Sequence, residues 1–160
     1  MQGILINNLY QYIKENNPDI LLELEQAGNT TQYLNNKVST VDSLIEQLGK
    51  EGKRLHIIEE MCMQFLTEDL KPSRYNYILH ILESEFGQQY NQFIESGLLF
   101  EINNIIKHCK PVFDDLNFSE ENEDNRFLSL AIIGVVKEYL SNVTSENVKN
   151  ELQQPTETER

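Results

Sequence analysis

Thiols, imidazoles and clustered basic side chains are the groups in this chain able to do chemistry, and their spacing decides what each can do. Cys62 and Cys109 are the only cysteines. A nucleophilic thiol needs a base within hydrogen-bond reach and an open cleft. Cys62 lies on the apolar side of a helical run. His56 is about 120° away around that helix, at 100° per residue. His108 adjoins Cys109 and points elsewhere for the same reason. With no Cys-x-x-Cys spacing, both thiols read as buried and reduced. His56, His80 and His108 are scattered singly, whereas a metal centre wants three or four converging ligands. The acidic run Glu120-Glu121-Asn122-Glu123-Asp124 lacks the glycine turn and terminal glutamate of a calcium loop. It reads as a solvated loop that favours the following helix N-terminus. No metal, cofactor or catalytic residue is expected.

Two further groups carry charge that a ligand would notice. Gly49-Lys50-Glu51-Gly52-Lys53-Arg54 is the one basic spot. It has neither the preceding strand nor the Gly-Lys-Ser/Thr ending of a phosphate loop, so it reads as a helix end and a loop. Ser73, Arg74 and Tyr75 open the helical stretch that runs to Phe86. One reading is a helix N-terminus with an arginine, able to receive a carboxylate or phosphate. The favoured one is an N-cap serine after Pro72, a solvent-facing Arg74 and a buried Tyr75.

The elements that must position these groups are helices. Leu5, Leu9, Tyr12 and Ile13 recur at steps of three and four, and predict a helix over 3–16. Asn17-Pro18 restarts the chain as a cap and first helical residue, and Gly28 closes that helix. Leu34, Val38, Val41, Ile45 and Leu48 alternate steps of four and three, a two-heptad seam within one helix over 31–49. Leu55, Ile58, Met61, Cys62 and Phe65 mark the next buried face. The stretch 73–86 places Tyr75, Ile78, Leu79, Leu82 and Phe86 on one side. A helix from Leu98 to Cys109 should end or kink at Pro111. After an acidic loop pinned by Phe118, Asp124 or Asn125 caps a last helix over 126–142. Its run Phe127–Val136 is apolar on nearly every side, which predicts burial all round. No strand-like alternation runs for a useful length.

The expected fold is therefore all-α: a single-domain, orthogonal or irregular bundle of about six helices around a buried C-terminal helix. The domain spans 1–142, and 143–160 is a polar, disordered tail. The chain has 160 residues and a formal net charge of −13. That charge argues against duplex DNA or an anionic membrane as a general ligand. No signal peptide is read at the N-terminus, and the longest apolar run is about half a membrane span. A cytoplasmic location is expected.

Leu70, Ser73, Arg74, Tyr75, Asn76, Ile78, Leu79, Ile81, Leu82, Glu85 and Phe86 resemble the signature of a Bacteroidetes family of small all-helical domains of unknown function. In that family the central motif resembles Ser-Lys-Tyr-Asp, then an Ile-Leu pair and a Glu-Phe end. Pro18-Asp19 is similar to its His-Pro-Glu element, with Asn17 in place of the histidine. Cys109 with Val112-Phe113 is similar to its late Cys and Val-Phe pair. The stretch between Asp19 and Leu55 matches weakly. The resemblance implies a helical fold and a setting near conjugative mobile elements. It implies no activity.

These readings converge on a non-enzymatic protein that binds another macromolecule, most of all a protein. The candidate partner surface is Arg74, Tyr77, His80 and Ile81. Tyr77 and Ile81 lie off the main buried face, so either another helix covers them or they form a patch. Three alternatives are an acidic DNA mimic that inhibits a DNA-binding protein or nuclease, a weak nucleic-acid binder through Lys50, Lys53 and Arg54, and an enzyme with Cys62 or Cys109 as nucleophile. Self-association stays open.

Overall fold

Helices account for all the regular structure in a computed structural model that describes residues 1–153, with side chains through Val143. In order they are α1 (Gln2–Asn16), α2 (Pro18–Ala27), α3 (Thr30–Ser39), α4 (Asp42–Lys50), α5 (Leu55–Thr67), a 3₁₀ turn (Glu68–Leu70), α6 (Arg74–Glu85), α7 (Gly87–Ser96), α8 (Leu98–Asp115) and α9 (Arg126–Gln153). The all-α class holds, with more helices than the six or so expected. The chain divides into two compact units, Met1–His80 and Ile81–Arg160, and the division falls inside α6.

In the first unit α1 packs on α2, α3 and α5, and α4 packs on α5. Leu5, Leu9 and Ile13 recur every four residues along α1 and are buried with Leu21, Leu34, Val38, Val41, Leu48, Ile58, Cys62, Leu66 and Leu70. Pro18 is the first residue of α2, and Gly28 ends it in the left-handed region at φ 70°.

The single helix expected over 31–49 is two. The seam residues Leu34, Val38, Val41 and Leu48 are buried as expected. The backbone nevertheless breaks at Thr40–Val41. The Ser39 hydroxyl donates to the Asn36 carbonyl at 2.7 Å and Thr40 to Lys37 at 2.6 Å. Such local side-chain bonds compete with the helix ladder. Asp42 then opens α4.

On α5 the buried stripe is Ile58, Cys62 and Leu66. Leu55, Met61 and Phe65, expected inside, are 59%, 38% and 54% exposed. Apolar side chains cover most of this helix's circumference, so periodicity alone could not choose between its faces.

In the second unit α8 packs against α7 and α9. Its core is Phe93, Ile102, Ile105, Ile106, Cys109, Phe113, Leu128, Ile132, Val136 and Leu140. Pro111 does not end α8, which continues through it to Asp115. Phe118 folds its ring onto Phe113, with centroids 4.8 Å apart. Asn125 caps α9, its Oδ1 accepting from the N–H of Phe127 at 2.8 Å and of Leu128 at 3.2 Å. The helix is not buried all round: it buries one stripe and leaves Phe127 and Leu130 exposed. It also runs beyond Asn142, to Gln153. Of the tail expected at 143–160, residues 154–160 lie outside the described residues.

Candidate functional site at the entry of α6

The α6 entry begins with local chemistry. The Lys71–Pro72 peptide is cis. The Ser73 carbonyl accepts from the N–H of Tyr77 at 3.1 Å, and its Oγ accepts from the N–H of Asn76 at 3.0 Å. Ser73 is thus the N-cap that the sequence predicts. Its hydroxyl proton goes elsewhere: Oγ donates to the carbonyl of Asn16, the last residue of α1. Asn76 Nδ2 lies 3.5 Å from Asn16 Oδ1.

The same corner receives the start of α2. Asn17 holds the N-cap position of α2 but makes no side-chain cap bond. Its side chain is buried, at 3% exposure. There Nδ2 donates to the Leu70 carbonyl, 53 residues away, at 3.2 Å. Asp19, two residues on, is 9% exposed. Burial pushes its carboxyl above the usual range, and Glu23 adds to this. The N–H groups of Asp19 and Ile20 and the charge of Arg74 pull the other way. Asn17 Oδ1 and Asp19 Oδ1 are both buried without a hydrogen-bond partner. Two short segments far apart in sequence, 16–19 and 70–76, thus form one polar junction. Its bonds tie the end of α1 to the start of α6, and the start of α2 to the 3₁₀ turn that precedes α6.

Of the partner surface expected around α6, Arg74 and Tyr77 are half-buried and His80 is exposed. Ile81 is 7% exposed. Of the two outcomes open for Ile81, cover or patch, cover is the one found, so Ile81 offers no surface. Arg74 does not simply face solvent, since it acts on the Asp19 carboxyl. In the basic loop Lys50, Lys53 and Arg54 are exposed, but Lys50 pairs with Glu46 at 3.1 Å.

The thiols are buried, and burial raises both pKa values, that of Cys109 to about 12. This is the direction opposite to nucleophile activation. Beside Cys109, the His108 ring lies against Tyr139, with centroids 4.8 Å apart, and the Tyr139 hydroxyl donates to Glu101 Oε2 at 3.1 Å. Among the described residues no group of three or more His, Cys, Asp or Glu is placed to hold a metal ion. No helix among them is long and apolar enough to cross a membrane.

Sequence reasoning missed Asn17 and Asp19 as partners of the α6 entry. The available signal was that both segments belong to the family-like residues; nothing in their spacing says that they meet.

The molecule is an all-helical domain whose family-like polar residues gather where three helix ends meet. The chain belongs to the family described as domain of unknown function DUF1896, whose model matches residues 6–151. No curated protein and no solved structure matches it.

Proposed function

We propose that this protein is a non-enzymatic binding module for another protein, an accessory or regulatory factor in the mobile-element setting that the family resemblance implies. The observation that carries the reading is the outer shoulder of α5. Met61 and Phe65 are one helical turn apart and leave two large apolar side chains exposed on one side of the helix. Exposed apolar residues gathered on one element are a usual mark of a binding surface. Glu59, Glu60 and Glu68 flank them along the chain. The partner face that fits is apolar at its centre and basic at its rim. This surface replaces the one expected around Ile81.

The test is capture from the native cytoplasm with the immobilised full chain, bound proteins being identified by mass spectrometry. The double variant Met61→Ser, Phe65→Ser should lose the captured protein and keep its helical circular dichroism and melting temperature, since exposed substitutions change stability by about 0.5 kcal/mol or less. Unchanged capture, or unfolding of the variant, defeats the proposal.

A further inference from the structure

Two oxygen atoms of the polar junction are buried with no donor: Oδ1 of Asn17 and Oδ1 of Asp19. Asn17 is 3% exposed and Asp19 is 9% exposed. Buried polar atoms are nearly always hydrogen-bonded, so each exception calls for a cause. The direction of the Asn17 amide is fixed by its other end. A carbonyl only accepts, so the amide must turn its nitrogen to Leu70, and Oδ1 is left facing away from that bond. The Asp19 carboxyl draws on the N–H groups of Asp19 and Ile20, yet its Oδ1 stands outside those bonds. The donors that bond at this corner are committed elsewhere. Pro18 has no N–H to give. The N–H of Leu21 goes to the Asn17 carbonyl at 3.2 Å. The Ser73 hydroxyl is given to the Asn16 carbonyl, and the Asn76 N–H to Ser73 Oγ. Arg74 acts on the Asp19 carboxyl through its charge, without a bond to Oδ1.

We infer that the junction is a binding site for one small hydrogen-bond donor, which bridges Asn17 Oδ1 and Asp19 Oδ1. The two residues open the same helix and face the same segment: Asn17 bonds to Leu70, and Asp19 feels the charge of Arg74. The chemistry of the site selects its ligand. Two acceptors without donors repel an anion, although a helix begins here. A hard divalent cation wants six or more oxygen ligands, and two are on offer. Near-complete enclosure of both side chains excludes anything bulky. What fits is a compact group with at least two protons to give, and water and the ammonium ion share that chemistry and are of similar size. A buried water that serves otherwise unsatisfied polar atoms is an ordinary part of a folded protein and costly to remove. Ammonium would add the attraction of the Asp19 carboxylate. Either one completes the corner without shifting α2 or the 70–76 segment.

The test is a crystal structure of the full chain. A density peak should lie within about 3.2 Å of both oxygens. Oxygens bonded instead to groups of the protein, or buried with no peak between them, overturn the inference. Asp19→Leu keeps the size of the side chain and removes one acceptor, so it should lose the peak. Ser73→Ala cuts other bonds of the same corner and should keep it. A peak that survives Asp19→Leu also overturns the inference; should that variant not fold, the parent's own density decides. Melting of the parent in ammonium chloride and in tetramethylammonium chloride, at equal concentrations, separates the two ligands, because the second cation carries charge but no N–H. A saturable rise in melting temperature with ammonium alone assigns the peak to ammonium. Equal melting with the peak present assigns it to water.

Discussion

Removing the Ser73 hydroxyl tests the polar junction most directly. Ser73→Ala deletes two bonds at once: the N-cap to Asn76 N–H at 3.0 Å, and the donation to the Asn16 carbonyl. Loss of a serine N-cap costs about 1 kcal/mol. Leaving a half-buried carbonyl without its donor adds about 1 kcal/mol more. The sum, about 2 kcal/mol, should lower the melting temperature by about 4–8 °C in a chain of this size. Thermal unfolding followed by circular dichroism at 222 nm, the usual helix band, reads the change. Ser73→Thr keeps both bonding roles and should restore most of the loss. Ser129 supplies the comparison, since its hydroxyl bonds only within its own helix, to the Arg126 carbonyl; Ser129→Ala should change little. The reasoning fails if Ser73→Ala melts with the parent, or if Ser73→Thr melts as low as Ser73→Ala.

Asp19 gives a pH signature. Its folded pKa lies above the ordinary 3.8, so the folded state holds the proton more tightly than the unfolded chain. Its contribution to stability is therefore complete below pH 3.8 and fades as pH rises through the folded pKa. Asp19→Asn should be more stable than the parent near neutrality and lose that advantage in acid, as measured by urea unfolding across pH; a parent-like profile would refute the assignment. The thiols give a reactivity signature: a disulfide reagent at neutral pH should label neither Cys62 nor Cys109 in the native protein and both after unfolding in urea. Rapid native labelling of either would contradict their burial.

Much of the fold was legible wherever the determining chemistry is local. Ser73, Asn125, Pro18 and Gly28 mark helix ends by interactions within a few residues, and all four do so in the structure. The Leu5, Leu9, Ile13 face is narrow, so it has one way to be buried. Failures came where the pattern was permissive. In α5, Leu66 is buried while Met61 and Phe65 are not, although all are apolar and only neighbouring helices decide. In α9 the same surplus of apolar residues suggested burial all round, and one face proved sufficient. The Thr40 break was hidden because the seam stays in register across it. Asn17 looked like an ordinary cap; its turn inward to Leu70 depends on a segment that no local window contains.

The Asn17 and Ser73 bonds also have a meaning for how the chain tolerates change. The backbone leaves the junction at Asn17 and returns to it at Leu70, so α2 through α5 form an excursion whose two ends are pinned at one place. Lengthening a loop with fixed ends costs free energy only as the logarithm of its length. Insertions in the connections at 28–29 or 51–54 therefore need not disturb the register of α1 against α6.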